Sequence, residues 1–331
     1  MTTIRLVWGS SDSRMRRSLC ADASLQARRH ITGHSTGEEI PALLCSFYYL
    51  KSFRRYRNDI VFRDWSMDSG AYSAFKSGAV IDLQEYTETC LELLETDPKL
   101  VEVFTLDVIG DHRATLRNTE RLWENGVPAI PIFHFSEPWE HLQLLVKLFP
   151  FKIGIGGAAK VVGKRKVLQA REIISRVWPM RIHGLGFGAE NALMELPFHS
   201  VDTSSWFLQP CSFGLWKSFG GDCAKGRGMS VRGQDADITA QVVYYLKMEQ
   251  KLKKRWKLDM DDIERDAPAW PMKKPEEVKL WLQESSSGRR SKASTTGPTR
   301  RRKKRSSTSK QTTGTSSKLK RRKKSTTRTA R

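Results

Sequence analysis

Between Ala42 and Asp202, short apolar, β-prone runs alternate with longer stretches in which apolar residues recur every three or four positions. This alternation constrains the fold more than any other feature. Strands separated by helical crossovers pair in parallel, because each crossover returns the chain to the same end of the sheet. The expected strands are Ala42 to Phe47, Phe62 to Met67, Val103 to Leu106, Ala129 to Phe133, Lys152 to Ile155, Arg181 to His183, and Ser200 with Val201. Helical spacing marks Leu83 to Glu95, Asp111 to Glu124, Pro138 to Leu148, Lys164 to Val177 and Asn191 to Leu196. Ser136-Glu-Pro-Trp139 reads as a helix start with Pro in the first turn. With Ile4 to Trp8 as a first strand there are eight units, which favours an α/β fold of the TIM (β/α)8 barrel type over an open sheet.

After Asp202 the rhythm changes. Residues 203–235 are rich in Gly, Ser and aromatics and read as a long rim loop or small insertion, followed by a strong helix from about Asp237 to Trp256. The barrel is therefore expected over 1–260, a linker or short helix over 261–284, and a tail over 285–331. The tail carries 18 Lys and Arg and no acid, whereas the rest of the chain carries 39 bases against 36 acids. Of the net charge of +21, the tail thus supplies 18 and the nearly neutral remainder 3. A segment of Ser, Thr, Lys, Arg and Gly buries too little apolar surface to offset its ordering entropy, so disorder is expected there. Its runs Arg300 to Arg305 and Lys318 to Lys324 suit counterion release from DNA. They also suit nuclear import in a eukaryotic host, or a merely solubilising role.

The five cysteines are odd in number, widely spaced and free of any C-x-x-C pair, the pattern expected of reduced thiols in a cytoplasmic protein. Met1 to Trp8 lacks the apolar core of a signal peptide, and no run of 18 apolar residues predicts a membrane span.

The residues just past each strand end carry the chemistry. Asp68-Ser69-Gly70 follows the second expected strand of the alternating region, Asp107-Val-Ile-Gly-Asp111 the third and His134 the fourth. Gly156-Gly157, Gly184-Leu-Gly186-Phe-Gly188 and Asp202-Thr-Ser-Ser follow the rest. In a barrel these residues ring one mouth, where barrel enzymes keep their active sites. Two carboxylates in one pocket can divide labour, one ionised as nucleophile and one protonated as general acid. A third can accept paired N–H donors from a guanine-like edge, and glycines let backbone N–H groups approach a planar ligand. Other readings stand beside these: Asp68 as turn chemistry, Asp202 as a helix N-cap, Asp107 as a satisfied rim carboxylate and His134 as a core or rim histidine. Asp111 reads as the N-cap of the helix after it, and Trp206, Phe207 and Trp216 as loop packing. A divalent ion on His112, His134 and His183 lacks a compact ligand spacing.

Five of these segments, in order, resemble the tRNA-guanine transglycosylase superfamily, closest to its DNA-directed branch in phage and bacterial 7-deazapurine DNA modification. They are Asp68-Ser69-Gly70-Ala71-Tyr72, Leu106-Asp107, Ile155-Gly156-Gly157, Leu185-Gly186-Phe187-Gly188 and Ser200-Val201-Asp202-Thr203, spread over roughly residues 60–206. The resemblance implies a TIM barrel that exchanges guanine in a nucleic acid for a 7-deazaguanine base, with no cofactor. Asp202 would be the nucleophile and Asp68 the acid and base. Ser69, Gly70, Tyr72, Asp107, His134, Gly156, Gly157 and Gly186 would bind the substrate. His134 stands where the family carries Gln. The family's C-x-C-x-x-C zinc signature is missing, since Cys211 and Cys223 are twelve apart and no His follows His199. No structural metal is expected, and DNA is favoured over tRNA as the partner. A zinc-less tRNA enzyme and a non-catalytic nucleic-acid-binding barrel are the alternatives. The cell compartment implied is the cytoplasm of a phage's bacterial host, or the nucleus of a eukaryotic one.

Overall fold

The computed structural model describes residues 2–9, 13–20, 40–157, 163–213, 215–217, 223–225, 231–256, 279, 280 and 283. Eight parallel strands run in the order β4-β3-β2-β1-β8-β7-β6-β5. They are β1 (Thr3–Trp8), β2 (Ala42–Ser46), β3 (Trp65–Asp68), β4 (Leu100–Val103), β5 (Ile132–His134), β6 (Lys152–Gly156), β7 (Arg181–Gly184) and β8 (Ser200–Thr203). The two edges meet just beyond β4. Phe104 bridges Ile130 in parallel, with the Ile130 N–H on the Val103 carbonyl at 2.8 Å and the Thr105 N–H on the Ile130 carbonyl at 3.0 Å. The ring is a TIM barrel, the closed form that the strand and helix rhythm favours over an open sheet.

Helices follow the strands: α1 (Ser13–Leu19), α2 (Leu50–Tyr56), α3 (Ala71–Ser77), α4 (Leu83–Thr96), α5 (His112–Glu124), α6 (Trp139–Leu148), α7 (Gly163–Val177) and α8 (Glu190–Glu195). Their starts are chemically marked. Asp82 accepts the Glu85 N–H and Asp111 the Ala114 N–H, both at 2.9 Å, each satisfying an amide that has no partner within its helix. Asp111 is therefore the N-cap that its position in the sequence suggests. The span expected to be a loop or insertion instead opens with a helix, α9 (Ser205–Phe213), followed by a small antiparallel pair, β9 (Leu215–Lys217) with β10 (Cys223–Lys225). Trp206 and Phe207 are buried in the main core, the Trp206 indole N–H donating to the Val7 carbonyl at 3.1 Å. Packing, rather than a platform for stacked bases, describes both. The Trp216 side chain lies outside the described residues.

The long helix α10 (Val231–Arg255) packs against the start of the barrel. Its Glu249 takes the Ile4 N–H at 2.8 Å and pairs with Arg63 at 3.1 Å. The expected linker is described only at residues 279, 280 and 283, and the expected tail, 285–331, lies outside the described residues. No described helix is long and apolar enough to cross a membrane.

Among the described residues two apolar clusters divide the interior. The large one fills the shell between sheet and helices, with Trp8, Trp65, Phe53, Phe149 and Trp206 among its fully buried members. The small one, Leu44, Phe104, Ile130 and Ile132, plugs the barrel itself. Below that plug the barrel is filled by charge. Arg5 of β1 pairs with Asp64 at 2.5 Å and lies 3.6 Å from Glu102 of β4. Glu102 accepts from Ser66 of β3 at 3.0 Å and is ion-paired to Lys152 of β6. Burial alone would neutralise Glu102, but Lys152 and Arg5 hold it well below the usual carboxylate range. Burial lowers Lys152 to about 8 against the pull of Glu102.

These inward charges explain one misplaced strand. The apolar run predicts β-structure over Val103 to Leu106, yet the strand is Leu100–Val103. Glu102 interrupts an apolar run and looks like a boundary, but in a barrel it faces inward to partners on three other strands. Asp107 therefore sits four residues beyond the strand end, on the loop that follows the closing bridge.

Candidate active site

The C-terminal ends of the strands bring the acids together. Asp68 is the last residue of β3, and its carboxylate accepts the Gly70 N–H at 3.0 Å. That turn needs glycine: Gly70 has φ +78°, and a Cβ there would lie 1.9 Å from Ser46 Oγ and 2.8 Å from Tyr48 Cβ. Gly70→Ala should cost at least about 2 kcal/mol in urea denaturation through backbone strain and this clash. Unchanged stability would show that the turn is not held in this form.

Asp68 also feels its neighbours. Burial, then the negative charges of Asp107 and Asp202, raise its carboxyl to about 7. Three carboxylates, two at the ends of β3 and β8 and one on the loop after β4, thus lie close enough to act on one another, and Asp68 is poised to hold or lose a proton near neutrality. The Cys45 thiol beside it is pushed up by burial and by Asp68, so it is no thiolate nucleophile.

Asp107 is held by two contacts. Its Oδ1 accepts from Ser69 Oγ at 3.1 Å, and its Oδ2 faces His134 Nε2 at 3.2 Å. His134 is clasped on its other side by Glu137 Oε1, 2.7 Å from Nδ1. Burial opposes a charged imidazole, but hydrogen bonds to Asp107 and Glu137 outweigh it and raise His134 to about 9. At neutral pH it is therefore a cation whose two N–H groups are both engaged by protein carboxylates. Of the two readings of His134, the rim histidine with satisfied hydrogen bonds describes its contacts. It supports Asp107 from behind.

Asp202 stands within β8 and does not cap α9, so the N-cap reading fails. The hydroxyl of Thr203 takes the Ser205 N–H instead, at 3.1 Å. Asp202 Oδ1 receives two donors: the Gly186 N–H at 2.9 Å and His183 Nε2 at 3.2 Å. Gly186, with φ +69°, turns its amide toward that oxygen. Gly156 and Gly157 lie beside His134, where an added Cβ would come 3.4 Å from its ring or Cβ atoms. Tyr72 sits in the first turn of α3 with 47% of its surface exposed and the Lys76 ammonium 4.7 Å from its ring. No contact ties it to the three acids.

Several residues of the mouth carry no usable signal in the sequence. Glu137 reads there only as part of a helix start. Ser46, the register partner of Asp68, has a buried hydroxyl without a hydrogen-bond partner among the described residues, which leaves it available to a ligand. Lys166 of α7 donates to the Gly186 carbonyl at 2.7 Å and lies 3.9 Å from the Phe187 ring centroid. Burial lowers its ammonium while the charge of Asp202 draws it up. The three histidines weighed as metal ligands go separate ways: His134 to Asp107, His183 to Asp202, and His112 against the His141 ring at 4.8 Å. Among the described residues no group of three or more His, Cys, Asp or Glu is arranged to hold a metal ion.

Comparison with known proteins yields no matching family model and no matching curated protein. Among solved structures the chain is similar to the tryptophan synthase alpha subunit of Campylobacter jejuni, at 9% identity and a TM-score of 0.38, over 72% of this chain and 94% of that one. It is also similar to a mutant tryptophan synthase alpha subunit from the hyperthermophile Pyrococcus furiosus, at 10% identity and a TM-score of 0.41, over 74% and 97%.

Proposed function

We propose that this protein is a guanine transglycosylase that exchanges guanine in DNA for a 7-deazaguanine base. The observation that carries the reading is the Asp68 carboxyl, held near a pKa of 7 by burial and by Asp107 and Asp202 at one barrel mouth. A base exchange needs one group that gives a proton to the departing base and takes one from the incoming base, and an acid that ionises near neutrality serves both directions. Asp202 supplies the nucleophile. Its Oδ2 forms a bond to the sugar C1′ as the bond from C1′ to the guanine nitrogen breaks. The electron pair leaves with the base and is neutralised by the Asp68 proton. The incoming base then loses a proton to Asp68, attacks C1′ and releases Asp202. Asp107, braced by Ser69 and His134, faces the base edge with the lone pairs those contacts leave open.

DNA rather than tRNA is favoured by the missing zinc signature and by the acid-free tail, whose 18 basic residues would bind phosphates without regard to sequence. The target base must leave the stack or be single-stranded to reach a barrel mouth. The full chain is expected to exchange radiolabelled guanine in duplex or single-stranded DNA. Removing 285–331 should weaken DNA binding at least about tenfold at low salt and flatten its salt dependence. Exchange in tRNA alone would assign the substrate to RNA, and no exchange in either would leave a binding barrel.

A further inference from the structure

The barrel interior holds a continuous polar file leading to Asp202, and base exchange as proposed uses only its last member. Lys152 Nζ donates to Ser200 Oγ at 2.8 Å, Ser200 Oγ lies 2.8 Å from His183 Nδ1, and His183 Nε2 lies 3.2 Å from Asp202 Oδ1. Each side chain is almost wholly buried, and the His183 ring packs at 4.6 Å against Phe104 of the apolar plug. No solvent path is needed to orient any of them.

The direction of the file follows from donor and acceptor chemistry. An ammonium can only donate, so Lys152 occupies a lone pair of Ser200. Asp202 Oδ1 already accepts the Gly186 N–H and so acts as an acceptor, which puts the proton on the His183 nitrogen that faces it. His183 is neutral because burial lowers its affinity for a second proton more than Asp202 restores it. With Nε2 protonated, Nδ1 is bare and must accept, and the Ser200 hydroxyl is the donor in reach. The tautomer assigned from this network is therefore the one with the proton on Nε2. Lys152 is itself anchored by Glu102, so the file is pinned to the charged floor of the barrel.

We infer that His183 is the positioning residue for Asp202, locked by Ser200 and Lys152 so that its Nε2–H and the Gly186 amide both hold Oδ1 and leave Oδ2 as the attacking oxygen. This rests on the reading of Asp202 as nucleophile. The two donors remain on Oδ1 while Oδ2 is esterified to the sugar. They are in place to receive the charge that returns when the glycosyl ester breaks, as fixed donors do at an oxyanion. A half-turn about the Cβ–Cγ bond only exchanges two equivalent oxygens, whereas any intermediate angle loses both contacts, so the carboxylate is held in one plane with one oxygen bound and the other open.

The test uses the full chain with histidine-selective ¹⁵N labelling and a DNA substrate carrying labelled guanine. His183→Phe keeps ring volume without an N–H. It should slow formation of the protein–DNA adduct about a hundredfold while KM for DNA stays within about twofold, the size expected for losing one fixed donor. His183→Gln, which returns an N–H near the position of Nε2, should recover at least about a tenth of the wild-type rate, and Ser200→Ala should fall between the two. The ¹⁵N shifts of His183 should be those of the neutral Nε2–H tautomer. A proton on Nδ1, or a His183→Phe variant with wild-type kcat, overturns the inference. A neutral Nε2–H tautomer in a protein that forms no adduct with any nucleic acid would leave the file standing as an anchor for Asp202 Oδ1 and overturn base exchange instead.

Discussion

Asp202→Asn is expected to abolish base exchange, with a loss of roughly 10⁴-fold or more, the scale seen when a covalent nucleophile or its partner is removed. Asparagine is the informative replacement because its amide oxygen still accepts from His183 and from the Gly186 N–H. The pocket is then preserved, and only the attacking oxygen is exchanged for an amide nitrogen with no nucleophilic lone pair. No adduct should survive a denaturing gel, while DNA affinity and the far-ultraviolet circular dichroism match wild type. Exchange persisting at a tenth of the wild-type rate would remove Asp202 from the covalent role. It would shift attention to Asp68, whose raised pKa makes it the poorer nucleophile at neutral pH.

Asp68→Asn carries the second large effect, and it moves activity and stability in opposite directions. The chemical step needs a proton on Asp68, so wild-type adduct formation should fall about tenfold per pH unit above roughly 7. The asparagine variant should lose about 10²- to 10⁴-fold, the usual contribution of a general acid. Stability follows from the same pKa. Asp68 ionises near 7 in the folded chain and near 3.8 when unfolded. Its contribution to stability is therefore fully present below pH 4 and is lost as pH rises through 7. Three units correspond to about 4 kcal/mol at 1.36 kcal/mol per unit. Asp68 is partly exposed and water screens part of that cost, which leaves about 2 kcal/mol at pH 8. Asparagine is neutral at every pH and keeps an oxygen for the Gly70 N–H. The variant should melt about 5 °C above wild type at pH 8 and level with it near pH 4. A variant that melts below wild type at pH 8 would show that Asp68 is not held against its own ionisation.

The barrel is legible in the sequence because its signals are local. Leu83–Thr96 and His112–Glu124 show apolar spacing and capping acids within a few residues, and their observed limits lie within one residue of the expected ones. Strand limits are less legible where a charge faces inward. Glu102 hides the start of β4, and Arg5 and Lys152 stand in apolar runs for the same reason, since their partners lie on other strands. The placement of Asp68 and Asp202 is legible because they close or nearly close their strands. The contacts of Asp107 and His134 are not, because nothing in the local sequence pairs His134 with Asp107 on one side and Glu137 on the other.

The sequence by itself determined the α/β rhythm, the parallel sheet, the glycine-marked turns and the set of residues placed at one rim. It also concentrated 18 of the 21 excess positive charges in the last 47 residues. Only the tertiary structure decided what each acid can do. A carboxyl group's proton affinity depends on burial and on charges within a few ångströms, and Asp68 acquires its neighbours Asp107 and Asp202 only when the ring closes. The same closure aims His183 and the Gly186 amide at one oxygen of Asp202. Periodicity is written in consecutive residues, whereas electrostatic and hydrogen-bonding environments are written across strands that meet only in space.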